Sequence, residues 1–219
     1  MLKERLERVE ERIQSAVARA GRARVDIILV AVTKKFPAGV IREAYEAGLR
    51  AFGENYVQEF EEKLPHLAGL TEAEFHLIGH LQSNKARAAA EAFQVIETID
   101  SPKLARRLDS FGRRLEVMIE VKLSSEESKS GAAPEEIPAL IDAIRESANL
   151  SLTGLMTMPP WNDDPEGTRP YFRRLASLAR EYRLPKLSMG MSHDLEAAIE
   201  EGATHIRVGT ALFGPRKKE

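Results

Sequence analysis

Eight short runs of apolar or β-branched residues, separated by stretches of helical character, constrain this chain more than any other feature of its sequence. The runs are IILVAVT (27–33), RAFGE (50–54), FHLIG (75–79), VIETI (95–99), EVMIEVK (116–122), SLTGLM (151–156), KLSMG (186–190) and HIRVG (205–209). Stretches such as AGVIREAYEAG, NKARAAAEAF, PEEIPALIDAIRES and HDLEAAIEEG lie between them. Strands joined through helices pair in parallel with right-handed crossovers. A closed barrel and a doubly wound open sheet both satisfy that rule. Eight evenly distributed runs predict the barrel, a single (β/α)8 fold of TIM type, at the compact end of its range with 219 residues.

Ahead of the first run, Leu2, Leu6, Val9, Ile13, Val17 and Ala20 recur at steps of three and four. This spacing predicts one amphipathic helix over residues 1–20, closed by Gly21 and packed on the outside of the barrel. No Pro/Gly/Ser-rich linker interrupts the series, so one domain is expected over 1–219.

Composition narrows the function. A formal net charge of −2 leaves no global basic field for nucleic acid or an anionic membrane. The one basic run, Arg216-Lys217-Lys218, reads as a solvated end. With no cysteine, disulfides, thiolate metal sites and cysteine nucleophiles are excluded. The opening MLKERLERVEERI is too charged for a secretory leader, and no apolar run reaches the roughly 18 residues of a membrane span. A cytoplasmic protein, monomeric, is the expectation.

In such barrels function gathers where strands end. Here those ends carry Lys34, Asn55, Gly79-His80, SKSG (128–131), Met156-Thr157, Met191-Ser192 and Gly209-Thr210. Polar residues at nearly every end point to one convergent site. The loops after strands seven and eight are the usual phosphate-binding place. Ser192 stands where the N-cap of HDLEAAIEEG belongs, and Gly209-Thr210 opens the short segment ALFG. Free N–H groups beside a glycine suit a phosphate dianion, although capping and chain reversal explain the same residues. In HIRVG, Ile206 and Val208 share one face and Arg207 the other. If the apolar pair meets the helices, Arg207 points into the barrel and needs a partner there, ionic or ligand. Of Lys34 and Lys35 only one can enter the barrel, and parity alone does not choose. A lysine desolvated in such a pocket becomes a nucleophile toward aldehydes. His76 and His80 have metal-like spacing only on a helix. On a strand they stand about 13 Å apart, so no metal site is expected.

These residues in this order resemble the pyridoxal phosphate homeostasis protein family. The blocks are AVTKKFP (31–37), FGENYVQE (52–59), FHLIGHLQSNK (75–85), TIDSPKLA (98–105), SKSG (128–131), LTGLMTM (152–158) and LSMGMSHDLEAAIEEGATHIRVGTALFG (187–214). That family is similar to the barrel domain of alanine racemase. The resemblance implies pyridoxal 5′-phosphate (PLP) as cofactor, with Lys34 forming the aldimine. Ser192, Gly209 and Thr210 would hold the phosphate, Arg207 would face the pyridine nitrogen, and Asn55 and Met156 would line the ring. A guanidinium keeps its proton, leaving that nitrogen unprotonated and the ring a weaker electron sink. The racemase pattern also needs a second acid/base, a tyrosine from a partner's C-terminal domain. The chain ends at Glu219, and that domain is not expected. Tyr45, Tyr56, Tyr171 and Tyr182 offer no evident replacement.

The implied role is intracellular PLP homeostasis without catalysis, the cofactor being buffered or delivered to apo-PLP-dependent enzymes. A PLP-dependent racemase or transaminase-like enzyme is the alternative. A cofactor-free Schiff-base aldolase fits less well, because barrel aldolases carry their lysine on a late strand and strand six ends here in Met156-Thr157.

Overall fold

The structure is a computed structural model that describes all residues except 125, 127–129 and 216–219. The Arg216-Lys217-Lys218 tail and the Ser128-Lys129 half of SKSG therefore lie outside the described residues. Eight strands form a closed barrel in sequence order, every neighbouring pair parallel. They are β1 (Ile28–Val32), β2 (Ala51–Glu54), β3 (Glu74–Leu77), β4 (Val95–Ile99), β5 (Leu115–Glu120), β6 (Leu150–Met156), β7 (Lys186–Met191) and β8 (His205–Val208). Each expected strand is found, with ends displaced by at most two residues.

Helix α1 (Leu2–Arg19) precedes the barrel. The connecting helices are α2 (Ala38–Glu46), α3 (Val57–Lys63), α4 (Ala86–Ala92), α5 (Pro102–Asp109), α6 (Ile137–Arg145), α7 (Arg169–Tyr182) and α8 (Leu195–Glu200), and the short α9 (Thr210–Phe213) follows β8. Apolar residues on the outer strand faces, such as Ala31, Phe52, Leu77, Ile96, Leu155, Ile206 and Val208, are buried against the helices. As expected, the amphipathic face of α1 buries Leu2, Val9, Ile13 and Val17, and Gly21 takes the left-handed conformation after it. This helix packs on α8 and α9. Polar contacts fix its register there: Arg12 forms a bidentate pair with Glu196 and also donates to the Ser192 carbonyl. No described helix is long and apolar enough to cross a membrane.

The barrel interior departs from the branched aliphatic filling usual in this architecture. Glu97 on β4 accepts a hydrogen bond from Ser188 on β7. Those strands are not neighbours, so the bond crosses the barrel. Polar and charged groups therefore occupy its centre, beneath the end where the strands stop.

Candidate functional site

A cavity of about 530 Å³ opens at the C-terminal ends of the strands, within the roughly 300–1,000 Å³ typical of small-molecule sites. Its lining brings together Lys34, Asn55, Ser192, Arg207, Gly209 and Thr210, along with Val32, Ile78 and Met158. These residues come from six different strand ends, which only barrel closure makes adjacent.

Register resolves the lysine ambiguity. Val30 stands beside Arg207, whose guanidinium is bonded inside the barrel, so the Val30 face is interior. Val32 has the same parity and lines the cavity, and Lys34 follows two residues later, half-buried in the same lining. Lys35 is exposed and left-handed (φ 62°), and its N–H donates to the Glu59 carboxylate.

Met156 is not part of the lining, contrary to the expectation that it flanks a ring there. It is fully buried and in register with Ser188, whose hydroxyl is bonded inside the barrel. Met156 thus belongs to the interior layer beneath the cavity. The next residue of that parity, Met158, reaches the cavity.

Ser192 is in the lining but does not cap the helix after β7. A turn over 192–194 delays that helix, and its N-cap is Asp194, whose carboxylate accepts the Met191 N–H at 2.7 Å. The Ser192 hydroxyl instead accepts from the N–H groups of Gly209 (3.3 Å) and Ala211 (3.2 Å), joining the two loops expected to bind phosphate. Asn55 brings a buried Oδ1 with no hydrogen-bond partner into this site. Its main chain lies so close to Gly79 that a Cβ at 79 would strike it, which is why glycine stands there. His76 and His80 diverge: the first is inside the barrel, the second half-exposed near Asp100.

Sequence reasoning did not single out Trp161 and His193, which also line the cavity. Their rings stack at 4.7 Å. The indole Nε1 donates to the Asp163 carboxylate, and His193 Nε2 donates to the Asp163 carbonyl. The sole tryptophan, in the turn-rich PPWNDD after strand six, was the available signal.

A chain of buried polar groups supports the floor. Arg207 donates to Ser188 Oγ (2.7 Å) and the Thr157 carbonyl (2.9 Å), Ser188 donates to Glu97, and Glu97 pairs with His76 (2.7 Å). His76 Nε2 reaches Glu74 at 3.0 Å, near the opposite end. Burial lowers the Arg207 pKa, with Glu97 opposing, and the guanidinium keeps its charge. Burial would also lower the His76 pKa, but bonds to Glu74 and Glu97 outweigh it and raise the value to about 9. Burial would raise the Glu97 pKa, yet the His76 bond and charge hold it at about 2. His205 is pushed down to about 4 by burial.

These shifts give the fold a peaked pH dependence. Between pH 6.5 and 9 native His76 holds a proton that the unfolded chain releases, so stability falls as pH rises. Between 6.5 and 4 the unfolded chain protonates His205 while the native one does not, so stability falls as pH drops. Below 4.5, protonation of unfolded Glu97 continues the loss. The thermal midpoint, measured from pH 4 to 9.5, should peak near 6.5. His76→Gln should remove the alkaline limb, and its persistence would contradict the assignment.

Comparison with known proteins gives a consistent picture. The family model described as alanine racemase, N-terminal domain, matches residues 5–217. A pyridoxal phosphate homeostasis protein of Aquifex aeolicus is 46% identical, over 98% of this chain and 98% of its own. One of Pseudomonas aeruginosa is also 46% identical, over 97% of this chain and 95% of its own. Among solved structures, PipY of Synechococcus elongatus with PLP bound superposes with a TM-score of 0.86 at 38% identity. That match covers 98% of this chain and 100% of PipY. Alanine racemase of Clostridium difficile shares the fold at 15% identity and TM-score 0.68, this chain matching 56% of its length.

Proposed function

This chain belongs to the pyridoxal phosphate homeostasis proteins, within the alanine racemase N-terminal domain family, and we propose that it holds PLP in the cavity at Lys34 without turning substrates over. The observation carrying this reading is the convergence of one lysine, one guanidinium, two hydroxyls and an unpartnered buried amide oxygen on a single cavity. That donor set fits PLP group by group. When bound, PLP supplies an aldehyde that an amine can capture and a ring able to withdraw electrons.

Lys34 provides the amine. Ser192, Thr210 and the main chain at Gly209 form the phosphate end, where Ser192 already organises the local N–H groups. Arg207, braced by Ser188 and Thr157, would face the ring nitrogen and donate a hydrogen bond to it without giving up its proton. Val32, Ile78 and Met158 line the cavity and would exclude water from the ring, and Asn55 would offer an acceptor beside it. Met156 supports this wall from the layer below. Under this reading residues 1–219 act as one PLP-binding barrel that delivers the cofactor to apo-enzymes.

Substitution at the phosphate end tests it. Ser192→Ala and Thr210→Ala should each weaken PLP retention by about 1–2 kcal/mol, the scale of one hydrogen bond lost, or roughly 5–30-fold in affinity. Covalent attachment should still form at high PLP. Equal retention through dialysis by the double variant and the wild type would show that phosphate is held elsewhere.

A further inference from the structure

The turn that carries Lys34 is gripped from behind by a buried cluster that the proposed function does not itself use. Lys63, at the end of α3, is 6% exposed. Its ammonium donates to the Thr33 carbonyl (3.0 Å) and Glu54 Oε1 (2.8 Å), and forms an ion pair with Glu59 Oε1 (2.7 Å). An ammonium has three donors, and burial is costly unless they are used. Here three acceptors surround it. The same Glu59 oxygen accepts the Lys35 N–H, and the wholly buried Glu54 also accepts from the Thr33 hydroxyl (2.8 Å).

The placement of these bonds is specific. One fixes the carbonyl just before Lys34 and another the N–H just after it, both from the Lys63–Glu59 pair on α3. Lys35 meanwhile keeps a left-handed φ of 62°, which an L-residue adopts rarely and retains where its surroundings over-determine it.

We propose that Lys63 and Glu59 are positioning residues for Lys34, locking the two peptide groups that flank it so that its amine is presented to the cavity. The inference rests on the reading of Lys34 as the attachment point. Condensation of the Lys34 amine with the PLP aldehyde forms a carbon–nitrogen double bond and releases water. Its rate depends on where the amine is held, and a displacement of about 1 Å costs on the order of 100-fold.

The test uses the full chain and two readouts: the rate of PLP capture by absorbance, and amide exchange of the Lys35 N–H in PLP-free protein. Lys63→Met should slow capture about 10–100-fold and lose Lys35 protection, and Lys63→Arg should restore both. Glu59→Ala, at a partly exposed position, should give the same pair of changes with little effect on the thermal midpoint, and it decides the matter if Lys63→Met does not fold. Wild-type capture rates in the folded variants, or an unchanged Lys35 exchange rate, would overturn the inference alone. Absence of capture in the wild type would overturn the PLP reading itself, and this inference with it.

Discussion

Lys34→Ala should abolish covalent PLP attachment entirely, whereas Lys35→Ala should leave it nearly intact. The two side chains are adjacent in sequence, but the barrel separates them. Lys34 follows the interior parity of Val30 and Val32 into the cavity lining, while Lys35 is exposed and held by its main chain to Glu59. No other lysine lines this cavity among the described residues. The visible band of the loaded protein should therefore vanish in the first variant and persist in the second. After borohydride reduction, peptide mass should locate the adduct on Lys34. An adduct mapped to Lys35, or full visible absorbance in Lys34→Ala, would remove the assignment.

The fold was legible because alternation of short strands with helices needs no long-range information. Hydrophobic periodicity also sufficed to place α1, whose buried residues are largely those of its apolar stripe. The site was legible as a set of strand ends, since closure makes any such set converge. Three points required the third dimension. The parity of the Lys34-Lys35 pair was undecidable until β1 was registered against Arg207 on β8. Met156 and Met158 share a parity, and only the depth of β6 beside Ser188 shows which of them reaches the cavity. Ser192 carries the chemistry of an N-cap, yet the turn at 192–194 gives its hydroxyl to Gly209 and Ala211 instead.

The polar barrel interior left the faintest trace. Glu97 in VIETI and His76 in FHLIG break otherwise apolar strands, and nothing local says that they meet each other across the sheet. The same holds for Lys63 and Thr33, thirty residues apart and bonded through one buried ammonium. Pattern locates elements, but partners of buried charges are known only once the elements pack.

Under the proposed function this cavity holds PLP without amino-acid chemistry, and the described lining residues support that reading. Racemisation needs proton transfer on both faces of the substrate, and a second positioned group typically contributes about 10²–10⁴-fold. Besides Lys34 and Arg207, the one titratable lining residue among those described is His193, and its ring is engaged by Trp161 and the Asp163 carbonyl. None of the tyrosines lines the cavity. In the proposed arrangement Arg207 retains its proton and would not activate the ring nitrogen for carbanion chemistry. The decisive measurement is incubation of the PLP-loaded protein with L-alanine in D₂O, following chirality and α-deuterium, with Lys34→Ala and His193→Ala as controls. The proposed function predicts racemase and transaminase turnover at background, with transfer of PLP to an added apo-enzyme. Lys34-dependent racemisation with turnover on the order of 1 s⁻¹, within the ordinary range of enzymes, would contradict it.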